Sequence, residues 1–131
     1  MATIRKEMVM ACVPEKAWDA ARDAGALHTR LVPGFVVDCK LEGDARTVTF
    51  ANGVVARELI VDVDDAQRRI AWSAAGGRLT HHNASLQVFP EGAGQCRIVW
   101  IADLLPNAMA VPIDAMIGQG MDAMKRALEA A

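Results

Sequence analysis

Apolar and polar positions alternate in "FVVDCKLEG", with Phe35, Val37, Cys39 and Leu41 on one parity and Asp38, Lys40 and Glu42 on the other. A period of two predicts a strand whose first set faces a core. Strands are also expected over 3–12, 46–51, 54–63, 67–74, 80–89 and 95–104. Asn52-Gly53 marks a hairpin, since both residue types accept positive φ, and Asp64-Asp65 and "PEGAGQ" mark two further turns. In "PEKAWDAARDAG" the period lengthens: Pro14 opens a helix that Gly25 can close, burying Trp18, Ala21 and the nearby Leu27. From about 108, Met109, Ile113, Met116, Ile117, Gly120, Met124 and Leu128 recur every three or four positions. They predict a long amphipathic C-terminal helix that starts near Pro112, or starts at an Asn107 cap and bends at the proline. Strand, helix, about six strands and a long helix make an α+β domain whose antiparallel sheet curls around the last helix.

Composition narrows the class. The chain has 131 residues, the commonest size for one domain, so a single domain over 1–131 is expected. Its formal charge of −2, with no long run of either sign, lacks the footprint of a nucleic-acid binder. The start has neither a signal-peptide core nor a membrane-length apolar span, which reads as a cytoplasmic chain. Cys12, Cys39 and Cys96 are odd in number, far apart and set among apolar residues, which suits buried reduced thiols. No histidine or cysteine spacing suits a metal, no nucleotide loop or nucleophile elbow occurs, and no cofactor is expected.

The ordered set P-x-x-x-W in "VPEKAWDAARDAG", the Asn-Gly hairpin, an Asp-Asp turn followed by Arg and an aromatic in "DDAQRRIAW", and G-x-x-R-x-x-W in "GQCRIVW" resembles the START/Bet v 1-like superfamily, or SRPBCC. The likeness is to its polyketide cyclase/dehydrase-like branch and spans nearly the whole chain. The resemblance implies a helix-grip fold, in which a curved antiparallel sheet of about seven strands wraps a long C-terminal helix around a cavity for apolar or amphipathic molecules. It implies no particular reaction, because the superfamily includes carriers as well as enzymes.

Strand parity selects the candidate residues. Neighbours on a strand face opposite ways, so His81 and His82 cannot readily grip one metal. His82 shares parity with Ala84, Leu86 and Val88 and is expected to face inward, while His81 faces solvent with Asn83, Ser85 and Gln87. A satisfied strand-end histidine is the ordinary role for His82, and ligand contact or acid/base work the functional one. Arg57 shares parity with Val55, Leu59, Val61 and Val63; turned inward it would stand on the cavity wall and suit an anionic head group, and its ordinary role would be to pair with an acid at the rim. Trp100, with Ile98 and Ala102, and Trp72, with Ile70, are expected inside as core or lining. Met116 and the other helix methionines would make an adaptable lining, and Gly120 would leave room beside the helix. Asp103 shares the outward parity of Arg97. Three roles follow: binding a small apolar or amphipathic ligand, lipid-like or polyketide-like; a cyclase or dehydratase with His82 as acid/base and Arg57 steadying an enolate; or a protein-interaction module with no ligand. Homodimer formation is left open.

Overall fold

The computed structural model describes residues 1–74 and 76–130. In chain order the elements are β1 (Ala2–Met10), α1 (Pro14–Arg22), a single π-type turn (Leu27–Leu31), β2 (Val36–Glu42), β3 (Ala45–Phe50), β4 (Val55–Asp64), β5 (Arg69–Ser73), β6 (His81–Pro90), β7 (Cys96–Leu105), a short 3-10 turn (Asn107–Met109) and α2 (Ala110–Glu129). Every expected strand is present, with ends moved by one or two residues. The strands form one antiparallel sheet in the order β1-β7-β6-β5-β4-β3-β2. Strands β2 to β7 follow one another as hairpins, and β1 closes the series beside β7. This is the helix-grip arrangement: a curved seven-stranded sheet with the C-terminal helix in its concave side.

Turn chemistry sets the hairpins. Gly53 takes φ +91° between β3 and β4, and the Asn52 side chain accepts a 3.0 Å hydrogen bond from the Val54 amide. Only the glycine of that pair uses positive φ, so Asn52 acts through its side chain rather than its backbone. Asp65, in the β4–β5 turn, accepts hydrogen bonds from Trp18 Nε1 at 2.9 Å and Arg22 Nε at 2.8 Å. These contacts tie α1 to the turn.

Two register shifts bend the sheet, one at Val36/Asp38 in β2 and one at Ile60/Asp62 in β4. A bulge adds a residue to one strand, which sharpens the local bend and reverses parity beyond it. The uniform alternation expected in β2 therefore fails: Val36 and Cys39 are buried, whereas Val37 is 54 % exposed. In β4 the expected faces are reversed. Val55, Arg57, Leu59 and Val61 are exposed, and Glu58, paired in register with buried Arg46, faces inward. The inner face of β3 and β4 lines open space and carries polar groups, while β-branched residues suit an extended strand even on its wet side. Counting apolar residues there selects the wrong face.

One end of the grip is packed. Met10, Ile98, Leu104, Met121 and Met124 are essentially fully buried, and Cys12, Cys39 and Cys96 are free thiols within the same core. Helix α2 starts at Ala110 after the 3-10 turn, so Pro112 falls in its first turn, where a missing amide hydrogen leaves no bond unmade. Its buried residues include Ile117, Gly120, Met121, Met124 and Leu128. A Cβ on Gly120 would lie 2.9 Å from Trp100 Cζ3 and 3.2 Å from Phe35 Cε2, so the helix touches the sheet there through absence of a side chain. Gly118 is different, with its nearest neighbour at 3.9 Å.

The two glycines separate close packing from helix propensity. Gly118→Ala should raise stability by about 0.5–1 kcal/mol, the ordinary gain of Ala over Gly in a helix. Gly120→Ala should lower it by about 1 kcal/mol net, because overpacking costs about 1–3 kcal/mol, and should shift tryptophan fluorescence as Trp100 is displaced. Urea unfolding checks both signs.

Candidate functional site

Between the sheet and the mouth-side half of α2 lies a partly open cavity of about 820 Å³. That is within the range of small-molecule pockets, about 300–1,000 Å³. Most of its wall is apolar. Trp72 and Trp100 meet edge to face at 6.0 Å between centroids, Phe35 and Phe50 do likewise at 5.3 Å, and Met116 and Ile113 supply the helix side. Trp72, Trp100, His82, Met116 and Arg57, all expected at the site, line this cavity. Gly120 stands behind Trp100 and sets how closely that ring approaches the helix.

The charged centre of the wall is a pair that parity did not single out. Arg46 and Glu58 are 3 % and 7 % exposed, face each other across β3 and β4, and join through Nε and Oε1 at 2.8 Å. Arg46 Nη1 donates to the Ala24 carbonyl at 3.2 Å, and its guanidinium lies 5.4 Å from the Trp72 ring centroid. Among the described residues Arg46 Nη2 and Glu58 Oε2 have no protein partner, yet neither is a shut-in orphan atom. Both residues line the cavity, so a donor and an acceptor are offered to whatever occupies it. Burial pushes the Glu58 carboxyl above the usual carboxylate range, against the opposing pull of Arg46. The signal in the sequence was available but faint: Arg46 and Glu58 flank the Asn-Gly hairpin nearly symmetrically, so any tight β3–β4 hairpin brings them opposite.

His82 faces inward as expected. Its Nδ1 accepts a 2.9 Å hydrogen bond from the Ala74 amide, and Ser73 Oγ donates to its carbonyl at 2.6 Å. With Nδ1 accepting, the neutral ring carries its proton on Nε2, which has no protein partner among the described residues and can donate into the cavity. Burial, with a smaller contribution from His81, holds the His82 pKa below its ordinary 6.5. His81 lies on the outer face in a chain of polar contacts, His81–Asn83 at 2.6 Å and Asn83–Asp103 at 3.0 Å, with Thr3 donating to the same carboxylate. Asp103 is thus turned outward and has no access to the cavity. His28 sits in the π-type turn with its Nδ1 buried and unpartnered, outside the cavity lining.

Arg57 differs from expectation in position. Its strand parity turns it outward and it is exposed, yet it still contributes to the cavity lining, so it stands at the open rim and not on the inner wall. The wall position belongs to Arg46, because Glu58 opposite it neutralises the charge that Arg57 would have carried inside alone.

A fold and a cavity of this kind define the helix-grip class. Residues 1–130 match the family model described as polyketide cyclase/dehydrase and lipid transport, and the chain belongs to that family. No curated protein matches it. Among solved structures it is similar to an uncharacterised protein from Bacillus thuringiensis, with TM-score 0.86 and 17 % identity over 97 % of this chain and 98 % of that one. It is also similar to norcoclaurine synthase from Thalictrum flavum, with TM-score 0.73 and 21 % identity over 98 % and 84 % of the two chains. The di-domain ARO/CYC BexL of the BE-7585A biosynthetic pathway gives TM-score 0.84 and 12 % identity over 98 % of this chain and 47 % of its own. These likenesses show the shared fold.

The raised Glu58 pKa sets a pH dependence. The folded chain keeps a proton on Glu58 at pH values where the unfolded chain has lost it near 4.5, so this group makes stability fall as pH rises through that window. The stability difference between wild type and Glu58→Gln should therefore move in favour of the glutamine variant as pH rises above 4.5. Urea unfolding across pH reads this, and a change of opposite sign would mean that Arg46 outweighs burial.

Proposed function

We propose that the protein binds a small apolar or amphipathic molecule inside the grip, with an oxygen-bearing part of that molecule against Arg46 and Glu58. The observation that carries this reading is the cavity of about 820 Å³, apolar over most of its wall and broken inside by one buried ion pair. Apolar surface provides the affinity in such a pocket, while a few fixed polar groups set orientation. Arg46 Nη2 donates, Glu58 accepts or, when protonated, donates, and His82 Nε2 donates. A hydroxyl, ketone or enol fits this set, and family membership is in keeping with it.

Protein purified from its host should retain a lipid-like or polyketide-like mass in native mass spectrometry. Ala56 lines the cavity from the inner face of β4, so Ala56→Trp should fill that space and abolish displacement of an environment-sensitive dye, with a cooperative unfolding transition retained. Dye displacement unchanged by the bulky residue would place binding elsewhere.

A cyclase or dehydratase reading rests on a specific observation too: a carboxyl with a raised pKa beside an arginine, both reaching an apolar cavity. Such a carboxyl suits proton transfer next to a carbonyl, and the guanidinium suits the developing oxyanion. Glu58 then takes the acid/base role, with His82 as a hydrogen-bond donor. The ARO/CYC and synthase neighbours lend support, since enzymes occur on this fold. On this reading Glu58→Gln should abolish turnover of a poly-carbonyl substrate and leave its binding within about threefold, a loss of one hydrogen bond or less.

A further inference from the structure

The chain as a whole carries a formal charge of −2, yet its cavity lining has the opposite sign. Arg46, Arg57 and Arg78 line it against Glu58 as the single acidic residue, so three positive charges face one negative charge and two are left over. Glu58 accounts for Arg46. The surplus resides on Arg57 and Arg78, both exposed and both without a salt bridge or side-chain hydrogen bond among the described residues. Six of the ten arginines do have an acidic partner, namely Arg5, Arg22, Arg30, Arg46, Arg68 and Arg97. Of the four with no acidic partner among the described residues, Arg69 and Arg126 lie outside the lining, whereas Arg57 and Arg78 belong to it.

The fold brings these two to the same rim. Leu59 of β4 pairs with Ser73 of β5, so Arg57, two residues back along β4, lies toward the β5–β6 connection that carries Arg78. Residues 76–80 of that connection are held in place. Gly76 and Leu79 exchange backbone hydrogen bonds of 2.8 and 3.0 Å, which set Arg78 in a tight turn, and the Thr80 amide donates to the Leu105 carbonyl at 2.9 Å. At the near end, the Ala74 amide is held by His82 Nδ1. Deeper in, an arriving anion would meet the Glu58 carboxylate on the one arginine it could use.

From this charge arrangement we infer that the ligand is an anionic amphiphile bound tail-first, its acidic head at the rim between Arg57 and Arg78 and its apolar body in the cavity. The chemical class is a carboxylate, or an acid of like charge, on an apolar chain or ring system. This inference rests on the cavity-binding reading and adds the charge and orientation of the guest. Deep burial of the acid group is disfavoured by Glu58, whereas at the rim the head keeps part of its hydration and gains two guanidinium partners that the protein leaves unpaired.

Decanoate and decanol share a tail and differ in the head, so comparing them isolates the rim. Each is titrated by calorimetry at neutral pH into wild type and into the double variant Arg57→Gln, Arg78→Gln, whose substituted side chains are exposed and unpaired, so that folding is spared. The expected result is that the variant binds decanoate about fivefold more weakly, the worth of two half-exposed ion pairs, with decanol affinity unchanged, and that added salt weakens decanoate binding to wild type alone. Equal decanoate affinity in the two proteins, with decanol still bound, overturns the head-group assignment and leaves the cavity reading standing. Binding of neither probe by wild type removes the cavity reading and the head-group assignment with it.

Discussion

A guanidinium on the wall of an apolar cavity is tolerable only if something offsets the water it has lost, and in this protein that something is Glu58. The pair forms because β3 and β4 are joined by a short Asn-Gly hairpin whose register sets residues 46 and 58 opposite each other. Removing one partner of a buried pair typically costs about 3–5 kcal/mol, since the other is left desolvated and alone. The polar contact available to a guest inside the cavity depends on that one pairing. Arg46 also reaches the Ala24 carbonyl and lies near the Trp72 ring, so the pair joins the segment after α1 to the middle of the sheet.

The grip has two halves with different packing. Toward the C-terminal end of α2, methionines and branched aliphatics from β1, β7 and the helix close on one another with almost no exposure. Toward its N-terminal end the helix stands off the sheet and the space remains. Gly120 marks the transition: it lets the helix come down on Trp100, and beyond it Met116 and Ile113 face the cavity. A packed half resists opening, and that rigidity lets an open half persist instead of collapsing.

Polar groups along the cavity are graded by depth. The ion pair is buried, His82 is half-buried and satisfied on one nitrogen by the Ala74 amide, and Arg57 and Arg78 stand in water at the rim. Charge is neutralised where solvent is absent and left free where solvent can screen it, as the cost of desolvation requires. The rim is therefore the position from which a charged group can be exchanged with solvent at least cost.

His82, Trp72 and Trp100 were legible from parity because β5, β6 and β7 run regularly against a continuous apolar face, so period two maps directly onto inside and outside. The outward Arg57 and the inward pair Arg46 and Glu58 are not legible from apolar parity, and the physical reason precedes the β4 bulge, which lies beyond them at Ile60/Asp62. Around a cavity the inner face need not be the more apolar one, so the face of β4 that carries Val55, Arg57, Leu59 and Val61 is the wet one. The element order, the hairpin at Asn52-Gly53, the inward His82 and the amphipathic last helix follow from local pattern, since backbone preference and side-chain period act within a few residues. Which face of β4 looks inward, that residues 46 and 58 neutralise each other, and that Arg57 and Arg78 both border one cavity without an acidic partner among the described residues were decided only by the folded sheet, because those are relations between strands and a period along one strand carries no record of its neighbour.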